Sequence, residues 1–95
     1  MDGERAQYLL KESGQFSAVY QKHKFSAVRK RPDGSEVEVQ VEILDGGPNA
    51  DKRYHVSALT RDGVFAKGNL HGDLQEAIKL VPWSQLDDPD RMKRS

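Results

Sequence analysis

The sequence predicts an α+β domain: a four-stranded antiparallel β-meander with a C-terminal helix packed on one face and an N-terminal helix. Three observations predict it. Residues 35–43 alternate strictly, with Val37, Val39, Val41 and Ile43 set between Glu36, Glu38, Gln40 and Glu42, which is the two-residue period of a strand with one wet face. Two turn sequences, Pro32-Asp33-Gly34 and Arg61-Asp62-Gly63, each separate a pair of extended segments. A capping pattern, Asp73-Leu74-Gln75-Glu76, then precedes apolar residues at helical spacing.

In chain order, residues 4–12 read as the N-terminal helix, with Ala6, Leu9 and Leu10 on one side, closed by Ser13-Gly14. The next segment carries Phe-Ser-Ala-Val at Phe16 to Val19, and the same four residues recur at Phe25 to Val28. Phe16, Val19 and Tyr20 fit a further helical turn, while Phe16 and Ala18 fit a strand; the helix is the preferred reading. The second copy is a strand, so the repeat is not a structural one, and no longer repeat supports a duplication.

Parity fixes the register of the first hairpin. A three-residue loop of Pro32, Asp33 and Gly34 sets Ala27 against Val39 and Phe25 against Val41 on the apolar side. It sets Lys30 against Glu36 and Lys24 against Glu42 on the wet side. A two-residue loop would set Phe25 against Glu42, because a slip of one residue turns a strand over. The same argument at Arg61-Asp62-Gly63 aligns Ala58 with Ala66, Val56 with Gly68 and Tyr54 with Leu70, and makes Leu59 meet Phe65 on the outer face. Gly46-Gly47-Pro48-Asn49 makes residues 44–52 a loop. The C-terminal helix is expected from Asp73 to Val81, with Leu74, Ala77, Ile78 and Val81 against the sheet and Pro82 ending it. Trp83 and Leu86 should fold back on the helix end or the sheet rim. One domain over residues 1–86 and a flexible tail over 87–95 follow.

The chain is 95 residues long, with 15 basic and 15 acidic side chains and no cysteine. That excludes disulfides, a thiol nucleophile and a zinc–thiolate site. No run approaches the ~18 apolar residues of a membrane span, and the first twelve residues lack an apolar signal core. A cytoplasmic protein with no membrane contact is expected.

Charge is unevenly spread. Residues 1–31 carry net +4, residues 32–51 net −6 and residues 52–95 net +2. Opposite charges paired across the first hairpin are the preferred account of this segregation. A basic rim of Lys22, Lys24, Arg29, Arg31, Lys52 and Arg53 is the alternative.

Signatures of catalysis are lacking. No serine sits in Gly-x-Ser-x-Gly, and Asp45-Gly-Gly-Pro-Asn lacks the lysine and following helix of a phosphate loop. His71 stands two residues from Asp73, a spacing open to general-base or metal chemistry, but Asp73 is already assigned to the helix cap. No cofactor is expected.

Gly47-Pro-Asn-Ala-Asp-Lys-Arg-Tyr-His-Val56 resembles the Gly-Pro…Lys-Arg-Phe-x-Val segment of double-stranded RNA-binding domains. The order of strand, loop, strand, Asp-Gly turn, strand and helix is also similar. The resemblance implies a nucleic-acid partner. The chain departs from that pattern in three places. Ala50 stands where the family has its loop histidine, Asp73-Leu74-Gln75 replaces the Lys-Lys at the helix start, and a strand lies where the family has its first helix. An acidic helix start cancels the positive potential that would attract phosphate.

The expected function is therefore a small non-enzymatic interaction module that binds a protein partner or itself. A nucleic-acid-binding accessory protein using the basic rim is the alternative. The candidate interaction patch is Leu59, Phe65 and Val28, which the two registers place on the outer face of the sheet. The N-terminal segment, through Leu9, Leu10, Phe16 and Tyr20, is the expected cover for it.

Overall fold

The computed structural model describes residues 3–88. Helix α1 spans Gly3–Glu12, and strands β1 (Gln21–Lys30), β2 (Glu36–Asp45), β3 (Tyr54–Thr60) and β4 (Phe65–Lys67) follow. Helix α2 (Leu74–Lys79) and a 3-10 turn (Trp83–Asp87) complete the chain's regular structure. The strands form one antiparallel sheet in the order β1-β2-β3-β4, so the α+β meander is as expected. From residue 89 onward the expected tail lies outside the described residues; Asp87 itself closes the 3-10 turn.

The first hairpin has the register that parity demands. Ala27 faces Val39, Phe25 faces Val41, Lys30 faces Glu36 and Lys24 faces Glu42. The two tight turns are built alike. Arg31 N–H donates to Ser35 at 2.8 Å and Gly34 N–H to Arg31 at 2.9 Å; Thr60 N–H donates to Val64 at 2.8 Å and Gly63 N–H to Thr60 at 3.0 Å. Gly34 and Gly63 sit at φ 89° and 90°, the left-handed region that side chains resist. Polar side chains secure both turns: Asp33 accepts from Ser35 N–H at 2.9 Å, and Thr60 Oγ1 accepts from Val64 N–H at 2.8 Å.

Val37, Val39, Val56, Ala58, Val64 and Ala66 from the sheet bury themselves against Ala77, Val81 and Leu86. Asp73 caps α2, accepting from Glu76 N–H at 3.1 Å. The cap is only half of the expected box, because the Glu76 carboxylate turns to Lys79 at 3.5 Å instead. Beyond Pro82 the chain folds back as expected. Trp83 Nε1–H donates to the Ile78 carbonyl at 3.0 Å, and Leu86 is fully buried.

Several expectations are corrected. Residues 16–20 are neither helix nor strand; they run irregularly into β1. Tyr54 pairs with His71 and not with Leu70. Gly68 N–H still bonds Val56 O at 3.0 Å, so one extra residue is accommodated between them, a local bulge. Gly68 itself lies so close to the segment after α2 that a Cβ there would meet Val81 N at 3.2 Å.

Phe25 and Ile78 point to the expected sides but stay 55% and 38% exposed. Helix α2 packs over β3 and the 3-10 turn over β4, so the lid is displaced away from β1.

The largest correction concerns α1. It does not lie across the outer face, and Leu9, Leu10, Phe16 and Tyr20 remain about half exposed. It docks at one end of the sheet by the polar stripe Glu4, Gln7, Lys11, which shares a face at i, i+3 and i+7. Gln7 is buried and donates to the carbonyls of Val19 at 2.9 Å and Asp45 at 2.8 Å. Its own oxygen accepts from Gln21 at 3.2 Å. Lys11 donates to the Gly46 carbonyl, and Glu4 lies 3.7 Å from Arg53.

Candidate functional site

Side chains alternate across each strand, so burial of Ala58 and Ala66 turns their neighbours outward. Leu59 and Phe65 are directly opposite each other in the β3–β4 ladder. They are 45% and 48% exposed. Gln40 of β2 stands on the other side of Leu59, and Ser26 of β1 beyond it. Val28 lies one rung away, opposite Glu38, and is 67% exposed. No described element covers this face. The three residues thus share one face, but Leu59 and Phe65 form a contacting pair in the ladder, while Val28 is set two strands away at the edge.

The six basic residues do not form one rim. Odd-numbered side chains of β1 point to the lid face and even-numbered ones to the outer face, which separates Arg29 and Arg31 from Lys22 and Lys24. Arg53 and Lys52 lie at the end of the sheet away from Arg29 and Arg31, the end that also holds Lys22. Lys30 pairs with Glu36 and Gln21 with Asp45, so the ends of β2 are about 30 Å apart at ~3.4 Å per residue.

The three arginines are also occupied by carboxylates. Arg29 makes two bonds to Asp87 at 2.8 and 3.0 Å. Arg31 makes two to Asp62 at 2.9 and 3.1 Å and donates to the Leu86 carbonyl at 3.0 Å. Arg53 holds Asp45 at 2.6 and 3.0 Å, while its guanidinium lies 5.0 Å from the Tyr54 ring centre. Each carboxyl is held below its ordinary range by its arginine hydrogen bond first. Thr60 adds to this at Asp62, and the Gly47 N–H adds at Asp45. These are internal clamps: Arg29 and Arg31 fasten the 3-10 turn to the first hairpin. Sequence reasoning placed the arginines at a surface because their partners lie far away in the chain; only the Arg53–Asp45 spacing of 8 residues was within reach of local inspection.

His71 Nδ1 accepts from Asp73 N–H at 2.9 Å, while the Asp73 carboxylate caps α2. His55 pairs in register with Leu44 and His23 with Ile43. Among the described residues no cluster of three or more His, Cys, Asp or Glu is placed to hold a metal ion. None of their helices is long and apolar enough to cross a membrane.

A second apolar feature was not foreseen. Because the lid is displaced, an open groove of about 370 Å³ remains on the lid face beside β1, lined by Ala27, Val39, Val41, Trp83 and Leu86 with Arg29 at its side. No sequence signal marks it: the helix expected from Asp73 to Val81 is only the six residues Leu74–Lys79, about 9 Å long and too short to cover four strands.

Comparison with models of protein families, with curated proteins and with solved structures finds no match to this chain.

Proposed function

We propose that this protein is a small non-enzymatic interaction module that docks a protein partner. The observation that carries the reading is the uncovered pair Leu59 and Phe65, two large apolar side chains side by side whose neighbours on that face are Gln40, Ser57 and Lys67, with Val28 and Leu44 apart from them on the same face. An apolar centre within a polar rim is the anatomy of a protein interface. Scattered single apolar residues would need no such account.

The separation of the basic residues, and the carboxylates on Arg29, Arg31 and Arg53, favour a protein over a nucleic acid. The test is capture of partners from native lysate by the tagged full chain, before and after nuclease treatment, compared with Leu59→Ser and Phe65→Ser. Specific capture that survives nuclease and is lost in both variants, with melting temperature kept, is the expected result. Capture that vanishes with nuclease and weakens steeply with salt overturns the protein reading. A concentration-dependent dimer abolished by Leu59→Ser makes the partner a second copy.

A further inference from the structure

β1 is the long free edge of the sheet. It runs ten residues and has β2 on one side only. Its other edge partner, at the far side of the sheet, is the three-residue β4. Arg31 N–H bonds Ser35, so the ladder to β2 passes through odd-numbered residues, and the backbone groups of Lys22, Lys24, Ser26, Val28 and Lys30 point away from the sheet. Among the described residues no hydrogen bond from outside the ladder reaches them. Such a row of unpaired groups is a template for another strand.

The side chains say which strand it fits. Lys22, Lys24 and Lys30 lie on the outer face, and among the described residues Lys24 and Lys30 make no ion pair, while Lys22 has only Glu42 at 3.7 Å. On the lid face the same strand carries Phe25, 55% exposed, and Ala27, which lines the open groove that reaches Trp83. A matching strand therefore alternates acids, for the lysine face, with apolar residues, for the groove face. The fold already contains one such partner: β2, reading EVEVQVEILD, pairs with the other edge of β1 in this way.

Other occupants match less well. In the self-pairing centred on Ser26, which engages all five outward-pointing residues, Lys22 meets Lys30 of a second copy, and like charges directly opposite are unfavourable; the register centred on Phe25 engages only four of the five. Residues 89–95 of the chain, PDRMKRS, hold three bases and one acid, the wrong sign for a lysine-bearing edge.

We propose that the free edge of β1 takes an extended segment of a protein partner, alternately acidic and apolar, as a fifth strand of the sheet. The proposal rests on the protein-partner reading and names that partner's chemistry; it uses the edge and the groove, not Leu59 and Phe65. The probe is the peptide SEVEVQVEI, the chain's own residues 35–43, with blocked ends, titrated into the isotope-labelled full chain and followed by amide shifts and by the fluorescence of the single tryptophan. Saturable shifts centred on β1 and the Trp83 indole are expected, weakening as salt is raised.

Ser26→Pro removes a donor that the sheet does not use, at a site where an edge strand tolerates proline. It should reduce affinity at least tenfold while Ser26→Ala does not. The same peptide with its three glutamates replaced by lysine should not bind. Should Ser26→Pro fail to fold, Lys24→Gln combined with Lys30→Gln gives the same reading through loss of most of the salt dependence. The proposal is overturned by absence of saturable shifts at millimolar peptide, by equal affinity in Ser26→Pro, or by shifts centred on Leu59 and Phe65. The first of these, found together with partner capture that depends on Leu59, removes the edge inference and leaves the protein-partner reading standing.

Discussion

Each end of the described chain lies at an arginine clamp, but the two ends differ in how much apolar surface they bury against the sheet. At the C-terminus the lid docks through apolar surface: Ala77, Val81 and Leu86 are buried against the strands. At the N-terminus α1 docks through an amide and two charges, with Gln7 bonded to Val19, Asp45 and Gln21, while its leucines face outward. An apolar contact is non-directional and shows in a sequence as periodicity. A buried amide is directional and shows only when its partners are known. The lid is thus part of the core, and α1 is a buttress that the core does not need for its burial.

This contrast sets an order of effects. Leu86→Ala should be the largest, costing about 2–5 kcal/mol because it opens a cavity beneath the lid; urea unfolding should show a lower midpoint with an unchanged slope. Gln7→Ala should cost about 1–3 kcal/mol, since it removes a buried bond to the Asp45 carbonyl and a part-buried one to Val19. Its amide exchange should accelerate in α1 well before the sheet. Equal exchange in both would mean that the buttress and the core open as one unit, and the contrast would fail. Asp73→Ala should cost about 0.5–2 kcal/mol through the lost cap, seen as a lower melting temperature with α2 fraying at its first turn.

Acid should loosen both ends together, because each has an arginine clamp: Arg29 to Asp87 at the lid and Arg53 to Asp45 near the buttress. Both carboxyls are lowered in the folded state, so their stabilisation is complete above the unfolded value of about 4 and is lost as pH falls through the lowered range. The melting temperature should stay flat in this respect above about pH 5 and drop below about pH 4. Asp45→Asn should show a shallower acid limb. Smallest of all, Leu10→Ser should fall within about 0.5 kcal/mol of the parent, as an outward residue. A large loss there would show that α1 buries its leucines after all.

The sequence made the sheet legible because parity leaves little choice. Once Val39 must point inward, Ala27 must oppose it, and Gly34 supplies the turn that permits this register. Leu59 and Phe65 were legible on the outer face for the same reason. What lay beyond them was not. α1 was read by its leucines, and nothing in Gln7 announces that its partners are residues 12 and 38 positions away. The bulge before His71 has no local sign in the sequence, since Asn69 and Leu70 fit an uninterrupted register equally well. The free edge of β1 has no sign in the sequence, because the facing charges of Lys24 and Glu42 and of Lys30 and Glu36 report only the flank of the strand that meets β2.

Arg31 joins three places that the chain visits at different times: its own hairpin end, Asp62 in the second turn, 31 residues on, and the Leu86 carbonyl, 55 residues on. Neither long loop can be closed by this guanidinium until the sheet has brought the three sites together, so the contact is expected to mature after the rate-limiting step of assembly, which Arg31→Lys would show as faster unfolding with an unchanged folding rate. A tie formed that late governs how slowly the native state comes apart and leaves the speed of its formation nearly untouched. Arg31 is in this sense a latch on the finished fold, and its strength is read in the lifetime of the native state.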